Sequence, residues 1–135
     1  MKRLDGSTFV SGQIAAPDAA HIAALGIRTI VNNRPDGEEP GQPESREIEA
    51  AARAAGLDYR WIPVAGGLEA GQIEAMADAL AEGPALIFCR SGTRSAYLWA
   101  LARASRGEAG ETLLRQAGEA GYDLTPIRRL IAPQT

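Results

Sequence analysis

At 135 residues and 14.2 kDa, with 45% apolar and 23% charged side chains, the chain has the size and composition of one globular domain over 1–135. A net charge of −3, with acidic and basic residues interspersed, excludes a broad electrostatic grip on nucleic acid or an anionic membrane. No apolar run reaches the length of a membrane span or forms a signal h-region, so a cytoplasmic protein is expected.

In chain order, Thr8 to Val10 suggests an edge strand, and His21 lies in a short helical stretch beside Ile22. Ile27 to Val31, Tyr59 to Val64 and Ala85 to Phe88 are short runs rich in β-branched and aromatic residues, bounded by Gly or Pro, and read as buried strands. Between them, Ile48, Ala51, Ala52 and Ala55 share one helical face, as do Ile73, Met76, Ala77 and Leu80. Gly26, Gly56 and Gly83 fall just past helical stretches, where a left-handed C-cap suits glycine. Strand and helix alternating in this way imply an α/β fold, a mainly parallel sheet of four to five strands with helices on both faces. After Phe88 the pattern is helical to the end. It comprises Ser95 to Ala104, apolar nearly all round and therefore buried, then Glu108 to Glu119, then a short piece around Ile127, Leu130 and Ile131. Asn33 to Ser45, with Pro35, Pro40 and Pro43, is the longest loop.

The chemistry concentrates after Phe88. Ligands of open α/β sheets sit beyond the carboxyl ends of the strands, and Cys89 stands at such an end. The segment Cys89-Arg90-Ser91-Gly92-Thr93-Arg94-Ser95 leaves a strand and enters a helix, which turns successive backbone N–H groups and the positive helix end inward as an anion nest. Gly92 permits the tight backbone. The helix terminus and the Arg90 and Arg94 guanidiniums favour a thiolate, the nucleophilic form. A small buried inert cysteine is the structural alternative, and the flanking Arg, Ser and Gly argue against it. As the lone cysteine, Cys89 makes no internal disulfide and no multi-cysteine metal site, and neither metal nor cofactor is expected.

Other residues divide between site and scaffold. Arg34, Pro35 and Asp36 follow a strand on the same side of the sheet as Cys89, so Arg34 and Asp36 are candidates for a pocket wall. A turn chosen for its Pro-Asp-Gly chemistry is the alternative. Ser95 is placed to bond the Cys89 sulfur or to cap the helix. His21, without a partner, reads as a surface residue, and Trp61 and Trp99 as core anchors. All the basic residues except Lys2 are Arg, so no single Arg is by itself a mark of function.

The segments TFVSGQ, GIRTIVNNRPDGEEPGQP, YRWIPV and above all FCRSGTRSA resemble the phosphatase-like domain of beta-lactamase-hydrolase-like proteins, a bacterial family on a dual-specificity-phosphatase scaffold. The resemblance covers most of the chain and implies that three-layer fold, with either phosphatase or sulfurtransferase activity. The tyrosine-phosphatase signature has a His before the Cys, five residues between Cys and Arg, and an Asp general acid on a loop after an earlier strand. Here Phe88 precedes Cys89, only Arg90, Ser91, Gly92 and Thr93 separate it from Arg94, and Ala65-Gly66-Gly67 follows Ile62-Pro63-Val64. Glu69 or Asp36 is a substitute acid only if not a solvated surface carboxylate. The Cys-x4-Arg loop is similar to that of rhodaneses.

The leading expectation is therefore a sulfurtransferase. The Cys89 thiolate takes sulfane sulfur from a small anionic donor, thiosulfate or a persulfide, and passes it to an external thiol or protein acceptor, a step that needs no general acid. Arg94 and the loop N–H groups would hold the terminal sulfur. The alternative is a phosphatase acting on a phosphorylated substrate through a Cys89 phosphocysteine, and a third reading is a silent anion-binding module. The resemblance also implies a persulfide-oxidising metal domain, fused or as a separate partner. Neither nucleic acid nor membrane is an expected partner.

Overall fold

The structure, a computed structural model, describes residues 1–132. Five strands, β1 (Lys2–Asp5), β2 (Thr8–Ser11), β3 (Thr29–Asn32), β4 (Asp58–Trp61) and β5 (Ala85–Phe88), form one sheet in the order β1-β2-β5-β3-β4. β1 runs antiparallel to β2, and the other pairings are parallel. The expected strand Thr8 to Val10 is not at the edge. The edge is β1, which periodicity did not reveal because its sequence, KRLD, buries only Leu4. β4 stops at Trp61 rather than at Val64, although Ile62 N–H and Val64 N–H still bond to the Asn32 and Asn33 carbonyls at 2.9 Å each.

Alternation along the strands sorts the core into two layers, one on each face. Val10, Val31 and Ile87 pack with α3 (Ala70–Leu80), α4 (Thr93–Ser105), α5 (Gly110–Glu119) and α6 (Arg128–Ile131). Ile30, Tyr59, Leu86 and Phe88 pack with α1 (Asp18–Ala24) and α2 (Ser45–Ala54). β5, at the centre, is buried at every position, as a strand covered on both faces must be. The helical faces fall where periodicity places them, with Ile48 and Ala52 buried on α2 and Met76, Ala77 and Leu80 on α3. α4 is enclosed from Ala96 to Ala102 apart from Tyr97, with Trp99 fully buried and its indole N–H on Asp5 Oδ2 at 2.9 Å.

The register sets the site. Ser11, Phe88, Asn32 and Trp61 pair across the sheet in a single row, so the four parallel strands end level. The segments that follow them, from Gly12, Cys89, Asn33 and Ile62, emerge together at one edge. Trp61, expected in the core, is 45% exposed there and donates its indole N–H to the Arg34 carbonyl at 3.0 Å. It is the last residue of an edge strand whose buried face is already filled by Tyr59.

Candidate active site

Cys89 is 1% exposed at the end of β5, and its sulfur accepts the Gly92 N–H at 3.1 Å. Gly92 holds φ at +97°, which turns the chain into α4. The first intrahelical bond runs from Ala96 N–H to the Gly92 carbonyl at 2.9 Å, so the N–H groups of Thr93, Arg94 and Ser95 have no intrahelical partner, and that of Thr93 donates to the Ser91 hydroxyl at 3.4 Å. The helix thus begins at Thr93, two residues before its expected start. Outside the loop, the Arg90 carbonyl accepts the Gln13 N–H at 3.3 Å. Gly12 is required beside it, because a Cβ at that position would sit 2.8 Å from the same oxygen. Ser91 and Thr93 are exposed and bond to each other through their hydroxyls at 3.1 Å. The loop is therefore one compact turn, with the Arg90 carbonyl tied outward and the Gly92 amide on the sulfur.

Around the loop lies an alternating chain of charges. Arg94 donates from both terminal nitrogens to Glu38, at 2.7 and 2.9 Å, and to the Val64 carbonyl at 2.8 Å. Arg34, only 2% exposed, donates to Glu38 at 2.8 Å, to Glu39 at 2.7 Å and to Gln13 at 3.0 Å. Arg90 pairs with Glu39 at 3.2 Å. The bonds from Arg94, opposed by burial and reinforced by Arg34, pull the Glu38 carboxyl down from an ordinary 4.5 to about 2. Arg94 is raised in turn, first by Glu38 and, against burial, by the nearby Cys89 sulfur. Arg34 is raised by Glu38 and Glu39 despite its burial. The Arg34 loop is tied to the cysteine loop through Glu38 and Glu39, and the Arg34 guanidinium is taken up by protein partners. Glu38 and Glu39 reach the site, and the sequence reading missed both because two acidic residues in a Pro- and Gly-rich loop look like solvated charge.

Several expectations about single residues change. Asp36 accepts the Ser45 N–H at 2.7 Å and so finishes the start of α2. Glu69 is the exposed N-cap of α3, and its N–H is bonded by Gln72 at 2.7 Å in a capping box. Both carboxylates thus serve helix starts. Ser95 neither bonds the sulfur nor caps the helix. Its hydroxyl donates to Asn33 Oδ1 at 2.7 Å, and Asn33 Nδ2 donates to the Ile62 carbonyl at 2.9 Å, which joins three of the four emerging segments in a buried chain. His21 is exposed. Among the described residues no group of His, Cys, Asp and Glu is arranged to hold a metal, and no helix is long and apolar enough to cross a membrane.

The chain shares its fold with solved structures of the phosphatase class. It belongs to the beta-lactamase hydrolase-like family, whose phosphatase-like domain matches residues 1–106. A beta-lactamase hydrolase-like protein of Agrobacterium fabrum is 36% identical over 137 residues, 98% of this chain but 32% of that protein, so the chain spans about a third of this relative's length. Among solved structures, a candidate phosphatase of Neisseria meningitidis superposes with a TM-score of 0.82 at 34% identity, covering 96% of this chain and 94% of that one. P. aeruginosa TpbA in complex with pTyr shares the fold at 18% identity, with a TM-score of 0.63 over 90% of this chain and 74% of that one.

Proposed function

We propose that the chain is a cysteine-dependent phosphatase, which reverses the order of the two activities expected from the sequence. The observation that carries it is the Cys89 sulfur at the focus of the α4 N-terminus, with the Gly92 N–H on it at 3.1 Å and Arg94 beside it, on a scaffold shared with phosphatase-class proteins. The relatives lend no support to sulfur transfer. In the proposed reaction the thiolate attacks phosphorus, an S–P bond forms and the alkoxide or phenoxide departs. Water then cleaves the S–P bond, releasing inorganic phosphate and restoring the thiolate. Arg94 and the first-turn amides would hold the phosphoryl oxygens. Glu38 has to release Arg94 to admit them, because its carboxylate occupies the oxyanion's position on that guanidinium.

Sulfur transfer remains as the second reading, and a specific observation favours it. Glu38, ionised and bonded to two arginines, is no proton donor, and Asp36 and Glu69 are committed to helix starts. A positioned acid is worth about 10²–10⁴ in rate. As a phosphatase, the enzyme should therefore hydrolyse aryl phosphates and turn over alkyl phosphates slower by about that factor. The test is mass spectrometry of Cys89 after quenching with an aryl phosphate or with thiosulfate, alongside C89S. A phosphoryl adduct with turnover lost in C89S supports the phosphatase. One added sulfur atom without phosphoryl adduct or phosphatase turnover supports the second reading instead.

A further inference from the structure

Beyond residues 1–106, which the phosphatase-like domain matches, the turn after α5 lays Tyr122 against the cysteine loop. The Tyr122 N–H bonds to the Ala117 carbonyl at 2.8 Å, which fixes the residue to the end of α5, and its ring is partly buried. Its hydroxyl donates to the Ser91 carbonyl at 3.1 Å. That carbonyl and the Gly92 N–H belong to the same peptide group. Because the peptide is trans, the two point in opposite directions. One end is held from outside by Tyr122, and the other donates to Cys89 Sγ from inside.

The fit is close on the other side as well. A Cβ on Gly92 would collide with the Tyr122 hydroxyl and lie 2.8 Å from its Cζ, so the ring occupies the space left by the missing side chain. Glycine's freedom also makes this peptide easy to rotate. Turned over, it would direct the Ser91 carbonyl dipole at the sulfur and withdraw the N–H.

We propose that Tyr122 is a positioning residue for the nucleophile: its hydroxyl holds the Ser91–Gly92 peptide with the N–H on the Cys89 sulfur and thereby sustains the thiolate. Donation to the carbonyl also polarises the peptide and strengthens the N–H as a donor. The charged and titratable groups around the sulfur are few. Arg94 comes from α4 with Glu38 behind it, Arg90 lies on the exposed side paired with Glu39, and Tyr122 comes from the turn after α5. The Tyr122 phenol is raised by burial and then by the Cys89 charge, so it keeps its donor proton across the neutral range.

This inference rests on Cys89 as the nucleophile, and its test reads the sulfur directly. The rate of Cys89 alkylation by iodoacetamide is followed against pH in the wild type and in Y122F, which keeps the ring and removes the donor. Below the midpoint Y122F should react about three- to tenfold more slowly, with an unchanged high-pH plateau and the midpoint moved upward. Y122L, lacking ring and donor, should react no faster than Y122F, and near-UV circular dichroism establishes that each variant is folded. A profile of folded Y122F that superimposes on the wild type overturns the proposal. The outcome is independent of substrate, so the phosphatase assignment can fail in C89S turnover while the alkylation profiles still decide the role of Tyr122.

Discussion

Glu38 shows how one residue carries both stability and restraint. Its side chain is 28% exposed, yet it accepts bonds from Arg34, buried on the sheet side, and from Arg94 on the site side. Its folded carboxyl titrates at about 2 against an ordinary 4.5, so the ion pairs contribute stability above about pH 4.5 that is lost as the pH falls towards 2. E38Q should therefore be less stable than the wild type at pH 7 and show a flatter decline between those two values, measured by urea unfolding at a series of pH values. A decline as steep as the wild type's would mean that other carboxylates carry the acid sensitivity. Asp5 is one whose folded carboxyl is also lowered; burial opposes the shift, and bonds from Ser7, Trp99 and Thr8, with the charge of Arg103, outweigh it. The turn that holds Cys89, and Arg94 at its end, were legible from local sequence, because both lie in one short segment between a strand and a helix start. Glu38, Glu39 and Tyr122 were not, since each reaches the loop from a segment distant in the chain.

At the scale of the element, β3 shows what pattern can and cannot carry. Its apolar residues marked it as a buried strand, and all four residues Thr29–Asn32 are enclosed. Pattern does not show what a buried polar side chain bonds to. Asn32 Nδ2 finds the Tyr59 hydroxyl at 3.0 Å, whereas Thr29 Oγ1 is the buried side-chain oxygen among the described residues with no partner. Replacing it by a methyl group of nearly the same shape removes an unpaid desolvation, so T29V should stabilise the protein by about 1 kcal/mol in chemical denaturation. A loss of stability would show that the hydroxyl has a water partner. β1 is the converse. Two positively charged residues and an aspartate around Leu4 gave no strand signal, yet the segment pairs with β2 because its Asp5 side chain is anchored by Trp99 and Arg103 of α4. Tertiary bonds rather than propensity decide it.

For the whole molecule, both apolar layers share the same central strands, so neither face can be lost while the other persists. The two tryptophans report on different regions: Trp99 is sealed in the layer under α4, and Trp61 stands at the exposed edge by the Arg34 loop. Fluorescence of W61F, which follows Trp99, and of W99F, which follows Trp61, should each give one urea transition that coincides with the circular dichroism of the same variant. An earlier transition at Trp61 would separate the site edge from the core. The α/β class, the mainly parallel sheet and the helix faces were readable because they depend on periodicity and on the alternation of strand and helix, whereas the strand order β1-β2-β5-β3-β4 was not. The activity was less so, because the same scaffold and a similar loop serve two chemistries, and the relatives favour the one that the short loop argued against.

The contact between Gly12 and the Arg90 carbonyl bears on how such a loop can change over generations. Adding a fifth residue between Cys89 and Arg94 would carry the loop backbone outward, where the end of β2 already touches it, and would misalign the peptide gripped by Tyr122. Such an insertion needs compensating changes near positions 12 and 122 before it is tolerated. Loop length should therefore behave as an inherited trait of the lineage, altered rarely and in concert, and Ser91 and Thr93, whose hydroxyls bond to each other, should change together.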